Sequence, residues 1–169
     1  EKQDDDAEPN TKRAKLEEAS SDDMQGVQEA ANGSLRVCEE ELDQIRARMA
    51  ARDEMREKLI KRSRDGQKAA KQAIFALHRQ DRSGALKLIH DCEVCMKELL
   101  PTVEEEPALR GGCYSNVLEE YAEAKLFAIW LEERRIANPS EFPTLEPVEY
   151  IGGLCDLTGE VGRFAVSAG

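Results

Sequence analysis

The sequence predicts an all-α protein, built as a bundle of long antiparallel helices joined by short loops. Two general features point that way. The chain is 35% charged and only 5% aromatic, and Glu, Ala, Leu, Arg and Lys dominate it, which is a helix-forming composition. Apolar residues recur at three- and four-residue steps, and no stretch shows the two-residue alternation typical of a strand.

Residues 1–34 are predicted to be a disordered acidic tail, and residues 35–169 a single helical domain. The tail contains the run Asp4-Asp5-Asp6 and has too few apolar residues to bury much surface. A short basic cluster at residues 12–15, Lys-Arg-Ala-Lys, interrupts it. This cluster suits either a nuclear-import signal or a plain solvated charge run. We expect a protein of both nucleus and cytoplasm.

The first helix is predicted from about Leu35 to His78. No proline occurs between the tail and Pro101, and the apolar residues keep helical spacing throughout this stretch. Gly66 is the weak position of this helix, because glycine costs about 1 kcal/mol against alanine in a helix interior. Residues 79–83 are predicted to form a turn.

The second helix is predicted from about Gly84 to Leu99. It is expected to stop there because the residue before a proline disfavours the helical conformation, and Pro101 follows closely. Residues 101–112 contain two prolines and two glycines and are predicted to be a loop.

The third helix is predicted from about Ser115 to Ile136, with Asn138 and Pro139 ending it. The fourth begins near Pro147, which suits a first helical turn, and runs to about Ser167. No turn or cap follows it, so we expect the sequence to be a fragment that lacks C-terminal helices.

Bulk properties exclude several classes of protein. The formal net charge of −11 argues against a protein that coats nucleic acid non-specifically, because a polyanion would be repelled. Any nucleic-acid contact must then come from a local basic patch or through a bound metal. No apolar run approaches the roughly 20 residues that cross a bilayer, so no membrane partner is expected. The five cysteines, an odd number, favour reduced thiols.

Four acids form the candidate site. Glu120 and Glu123 lie three residues apart on the third helix, and Asp156 and Glu160 lie four apart on the fourth, so each pair shares one helical face. Four carboxylates would suit Mg²⁺ or Mn²⁺. The alternative is that both pairs belong to solvated faces, since 35 acids produce many chance pairs.

Glycines on the fourth helix favour the first interpretation. Gly152, Gly153 and Gly159 each weaken a helix, and a helix that accepts three of them usually needs a close backbone approach. We therefore expect this helix to pack tightly on a neighbour and to bring the two acid pairs together.

Three segments resemble the translin family. Residues 149–164, Glu-Tyr-Ile-Gly-Gly-Leu-Cys-Asp-Leu-Thr-Gly-Glu-Val-Gly-Arg-Phe, resemble its signature helix, most of all in the branch called translin-associated factor X, or TRAX. Residues 118–124, Leu-Glu-Glu-Tyr-Ala-Glu-Ala, are similar to the acidic helix that precedes it, and residues 61–65 together with residues 71–79 resemble the long first helix. The resemblance covers residues 52–169.

The resemblance implies a translin-like α-superhelical bundle and a function. In this family TRAX supplies a metal-dependent endoribonuclease site, and its partner translin supplies most of the RNA-binding shell of a hetero-octamer. That complex trims passenger strands of small RNAs and fragments of precursor transfer RNA. By position, the family's catalytic acids fall on Glu120, Glu123, Asp156 and Glu160.

The residue roles follow from this likeness. Glu123, Asp156 and Glu160 are predicted to coordinate Mg²⁺ or Mn²⁺, and Glu120 either completes that set or orients the attacking water as a base. The predicted activity is Mg²⁺-dependent cleavage of single-stranded RNA. The alternative is a non-catalytic scaffold that binds single-stranded RNA and DNA and pairs with translin.

Lys61, Arg64, Lys68 and Lys71 follow three- and four-residue steps on the first helix and share one face. Such a stripe suits contact with phosphates, so we predict nucleic-acid binding there. The alternative is an ordinary charged surface paired with nearby acids.

The remaining reactive residues carry weaker predictions. Cys92 and Cys95 lack a second pair at matching spacing, so we expect buried thiols rather than a structural zinc site. His78 and His90 are not predicted to be catalytic, and His78 is expected to be structural or near the channel. Trp130 and Phe127 are expected to be core residues.

Overall fold

The computed structural model describes residues 38–168. Its helices are α1 (Glu39–His78), α2 (Arg82–Glu105), α3 (Ser115–Glu133) and α4 (Pro147–Ala168), and no strand occurs in this range. The all-α prediction is therefore confirmed. The predicted tail of residues 1–34, with its basic cluster at residues 12–15, lies outside the described residues, and so does any test of where the domain begins.

The chain divides into two compact units, with the boundary between Arg48 and Met49. In the described part of the first unit, residues 39–48 form the beginning of α1 and are mostly exposed. The second unit carries the core and every feature discussed below. No helix among the described residues is long and apolar enough to cross a membrane.

The core of the second unit is formed by all four helices, and small residues let them approach closely. Ala70 and Ala73 of α1 are fully buried, as are Val117 and Phe127 of α3. Gly66 is one of these contact points, because a methyl group there would lie 3.0 Å from both Cys95 Sγ and Val117 Cγ1. The residue predicted to be a weak position is thus where three helices converge.

Two boundaries of α2 differ from the prediction. The helix continues through Pro101 to Glu105, because Leu99 and Val103, four residues apart, are both buried on the core face while the proline is exposed. It also begins at Arg82, since the Asp81 side chain accepts a hydrogen bond from Gly84 N at 2.9 Å and caps the first turn. The predicted turn at residues 79–83 is correspondingly shorter.

The predicted loop at residues 101–112 is largely helical. Beyond α2 it forms a 3₁₀ turn at Pro107–Leu109, and the chain then kinks at Gly111 and Gly112, whose backbone angles are not helical. Gly112 has φ +74°, a conformation that favours glycine, and it redirects the chain into α3.

Helix α3 ends at Glu133, three residues before the predicted end at Ile136. Arg134 adopts the left-handed conformation with φ 53° and terminates the helix, and its backbone N–H donates to Trp130 O. A left-handed residue at a helix end is usually glycine or asparagine and only rarely arginine. The sequence therefore contained no indication that the helix ends at this position.

A buried acid fixes the start of α4. Glu149 is only 1% exposed; one of its carboxylate oxygens accepts hydrogen bonds from Glu146 N and Arg110 Nη2, both at 2.8 Å. This carboxylate therefore caps α4 and ties it to the segment before α3. The predicted start at Pro147 is confirmed.

Candidate metal and nuclease site

The first acid pair lies on the side of α3 that faces the rest of the bundle. Glu123 is buried, with 8% of its surface exposed, and Glu120 is half-buried one turn earlier. Both are surrounded by apolar neighbours on the same helix, because Leu118, Tyr121 and Phe127 are core residues. A carboxylate in such a place loses much of its hydration.

The second pair comes to this place because α4 packs against α3 almost backbone to backbone. A methyl group at Gly153 would lie 2.6 Å from Ala122 Cβ and 2.8 Å from both Glu119 O and Glu123 N. One at Gly152 would lie 3.0 Å from the Glu119 side chain. The predicted close approach therefore occurs at these two glycines. Gly159 does not share it, since no atom lies within 4 Å of a methyl group placed there.

The four acids act on one another electrostatically. Burial, and to a smaller extent the negative charges of Asp156, Glu120 and Glu160 in that order, together raise the pKa of Glu123 to about 7. Asp156 is exposed and Glu160 is buried. The structure thus brings the four sequence-predicted acids near one another, with Glu123 the most strongly affected.

Two basic side chains from α1 reach this cluster. Lys71 Nζ lies 2.9 Å from Glu120 Oε1, and this contact raises the pKa of Lys71. His78 Nε2 lies 2.6 Å from Glu160 Oε2, with both side chains largely buried. Arg163, one turn further along α4, lies 3.3 Å from the other oxygen of Glu160.

These contacts change the interpretation of two residues. Lys71 was grouped with the nucleic-acid-binding stripe, but its ammonium group is engaged by the acid cluster. His78 was not predicted to be functional, yet it touches a site acid. Because Lys71 and His78 are seven residues apart, two helical turns, they share one face of α1. This seven-residue spacing in the sequence was the signal that both side chains could contact acids of a neighbouring helix.

The four carboxylates suit a hard divalent cation, both by their negative charge and by their oxygen ligands. Carboxylate oxygens are the ligands that Mg²⁺ and Mn²⁺ prefer, and Glu123 is a buried acid that no described basic side chain reaches within ion-pair distance. As the side chains stand, however, no three His, Cys, Asp or Glu residues within 38–168 form a group that could hold an ion. Binding one would require carboxylates to turn away from Lys71 and His78.

The rest of the predicted basic stripe is free. Lys61, Arg64 and Lys68 are exposed on α1, and none of them forms an ion pair with a side chain in the described part of the chain. Lys58, by contrast, is paired with Glu54. Three cations in a row therefore lie open to solvent on one face of α1 next to Lys71.

The cysteine pair is part of the core. Cys92 and Cys95 are both buried in the core, as expected for structural thiols. Burial raises the pKa of Cys92 to about 12, so its thiol stays protonated and unreactive at neutral pH.

Together the fold and the site define a class: an all-helical bundle in which two tightly packed helices share four carboxylates. Residues 54–168 match the model of the Translin family, and the chain belongs to that family. It is 32% identical over 128 residues to the Translin-associated protein X homolog of Schizosaccharomyces pombe, a match that covers 68% of this chain and 55% of the relative. The TRAX-branch resemblance is thereby supported, and the chain spans about half the length of that relative.

Two solved structures share the fold. A crystal structure of apo-NeC3PO has a TM-score of 0.67 and 23% identity, covering 75% of this chain and 67% of its own. A crystal structure of AfC3PO has a TM-score of 0.66 and 19% identity, covering 76% and 66%. At these identities the likeness concerns the fold alone.

Proposed function

We propose that this chain is the TRAX-type, catalytic subunit of a translin complex that cleaves single-stranded RNA with Mg²⁺ or Mn²⁺ as cofactor. The observation that carries the proposal is the convergence of four acids on Glu123, whose pKa is raised to about 7 by burial and by the other three. Membership of the Translin family and the similarity to a translin-associated protein X homolog support it.

Within the proposed site, Glu123, Asp156 and Glu160 would hold the cation. When bound, a divalent cation lowers the pKa of water and offsets negative charge on a phosphodiester. Asp156 is the exposed member, so it lies where solvent and substrate can reach the cluster.

Lys71 and His78 would hold the carboxylates of Glu120 and Glu160 in position. The contact of Lys71 with Glu120 fixes one oxygen of that carboxylate and leaves the other available to accept a proton from water. His78 holds one oxygen of Glu160 and, when protonated, can donate to it. The ammonium group of Lys71 also reduces the negative charge that a phosphate must approach.

Lys61, Arg64 and Lys68 would contact the RNA backbone. They lie on the helix that also supplies Lys71, so a strand following this face would be led toward the acid cluster. Because the whole protein is acidic, such a local row of cations is the place where a polyanion can bind.

The test is cleavage of single-stranded RNA by the full chain with a translin subunit, in Mg²⁺ and in Mn²⁺. Asp156→Asn should reduce the rate by about 100-fold or more, because an exposed residue that holds the cation is lost without disturbing the core. Asp91→Asn is the matched control, since Asp91 is an exposed acid on α2. Equal rates for wild type and Asp156→Asn would exclude the proposed site.

A second candidate is a non-catalytic scaffold that pairs with translin and binds single-stranded RNA and DNA. The observation in its favour is that the carboxylates, as they stand, contact basic side chains rather than converging around an ion position. It predicts salt-sensitive binding that Lys61→Gln with Lys68→Gln weakens, and no metal-dependent cleavage in any complex. Cleavage that depends on Asp156 would exclude it.

A further inference from the structure

Beside the acid cluster lies a cavity that the proposed reaction does not use. It has a volume of about 250 Å³, and its walls are mainly apolar, formed by Leu77, Ala128, Leu131 and Phe164. Arg82 and Arg134 lie at its edge. This volume is below the ~300–1,000 Å³ of pockets that hold drug-sized ligands, so it suits a single small planar group.

Two helices, α4 and α1, supply residues both to the cavity wall and to the acid cluster. Asp156, Glu160 and Phe164 follow one another at four-residue steps and so share one face of α4. On α1, Leu77 of the cavity wall directly precedes His78, which contacts Glu160. A group inside the cavity would contact Phe164, which lies one helical turn beyond Glu160 on that face of α4.

An aromatic cluster holds Phe164 in place as one wall. Its ring centroid lies 5.8 Å from that of Trp130 and 6.4 Å from that of Phe127, and both contacts are edge-to-face. The Phe127 ring in turn lies 4.9 Å from the ring of His78. Trp130 and Phe164 are only half-buried. Trp130, which was expected to be a core residue, therefore lies at the edge of the core.

Arg134 provides a cation at the edge of the cavity. Its guanidinium carbon lies 4.6 Å from the Trp130 ring centroid and 5.8 Å from that of Phe164. Arg134 forms no ion pair with any side chain of residues 38–168, whereas Arg82 is paired with Glu132. A stacked, unpaired guanidinium of this kind suits a phosphate next to an aromatic ring.

We propose that this cavity binds one unpaired nucleobase of the single-stranded RNA, with Arg134 contacting a neighbouring phosphate. A base enters such a cavity only when it is free of a partner strand, so the cavity would select single strands at the point of cleavage. This inference rests on the proposed function for its choice of ligand. Its physical basis is the cavity, the aromatic wall and the free guanidinium.

The experiment measures binding rather than cleavage, in EDTA, with the full chain and a short oligouridylate. A second oligomer carries abasic sites in place of its bases, and the tryptophan fluorescence of Trp130, the chain's only tryptophan, reports occupancy next to Phe164. The base-bearing oligomer should bind about tenfold more tightly and change the Trp130 emission, since stacking of a base on an aromatic side chain has roughly this effect. Equal affinities and an unchanged emission would overturn the proposal.

Matched variants place the effect in this cavity. Phe164→Tyr keeps a ring and should keep the preference for bases, whereas Phe164→Leu should lower it to about threefold or less. Ala128→Leu fills the cavity from the opposite wall without removing a core side chain and should have the same effect, so the proposal does not depend on the folding of Phe164→Leu. A preference unchanged by Ala128→Leu would refute it.

The outcome separates this proposal from that of the nuclease site. Asp156→Asn should reduce the cleavage rate by about 100-fold or more but leave the preference for bases intact. RNA cleavage by a protein that binds abasic and base-bearing oligomers equally would remove the cavity proposal alone, and base-dependent binding by a protein that never cleaves would remove the nuclease proposal alone.

Discussion

Nε2 of His78 lies 2.6 Å from Oε2 of Glu160, and this contact joins the last residue of α1 to the middle of α4. Both side chains are largely buried, so each provides the hydrogen-bond partner that the other would otherwise lack away from water. The same contact fixes one of the four site acids in place.

Replacing His78 by alanine should destabilise the protein by about 1–3 kcal/mol, because a buried oxygen of Glu160 loses its partner. Urea unfolding in EDTA measures this. His90→Ala is the control, since His90 is exposed on α2 and lies 3.8 Å from Glu93. A loss in His78→Ala no larger than in His90→Ala would show that the contact contributes little.

Glu123 should make stability depend on pH. Its pKa is raised from 4.5 to about 7 in the folded protein, so the folded state holds a proton that the unfolded state releases. Stability attributable to this residue is therefore present below about pH 4.5 and is lost as pH rises to about 7. Glu123→Gln should be more stable than wild type at pH 8, on the order of 2 kcal/mol, and equal to it near pH 4.

Thermal unfolding from pH 4 to pH 8 measures the difference between these two proteins. Mg²⁺ at pH 8 should raise the Tm of wild type more than that of Glu123→Gln, because a bound cation removes the same repulsion. A constant difference in Tm across the pH range would contradict the raised pKa.

Gly153→Ala should destabilise the protein by about 1–3 kcal/mol or more, because its methyl group would collide with Ala122 and the backbone of α3. Gly159→Ala is the matched control on the same helix. With no atom within 4 Å, it should be neutral or stabilising by up to about 1 kcal/mol. Chemical denaturation measures the free energy of unfolding of both variants. Equal values would refute the close approach of α4 to α3 at Gly153.

Glu149→Ala should cost about 3–5 kcal/mol, since it leaves Arg110 without its buried partner and uncaps α4. Glu146→Ala, which removes an exposed acid that also contacts Arg110, should cost about 1 kcal/mol or less. Circular dichroism during thermal unfolding distinguishes the two. Similar losses of stability in the two variants would show that the burial of Glu149 does not increase its contribution to stability.

The fold class and the pairing of the site acids were predictable because each rests on local spacing. The glycines of α4 indicated a close approach, and Gly153 shows where it occurs. Gly159 did not follow that rule, because spacing alone does not reveal which side of a helix meets its neighbour.

The remaining differences arise from tertiary contacts. Helix α2 runs through Pro101 because Val103 is buried against the core, and the end of α3 depends on an arginine in an uncommon conformation. The partners of the acids were missed for the same reason, since Lys71 and His78 lie about 50 and 80 residues away from them in sequence.

The division of charge between helices has a consequence for how the molecule assembles. All four acids lie within residues 115–168, a single helix-loop-helix hairpin, whereas Lys71 and His78 come from α1. An isolated hairpin of α3 and α4 has only Arg163 in contact with one of these acids, Glu160, and would have to close against most of their mutual repulsion. Docking of α1 brings Lys71 to Glu120 and reduces that repulsion. The cluster should therefore form only as the whole bundle forms, and the hairpin alone should respond to divalent cations more strongly than the intact protein.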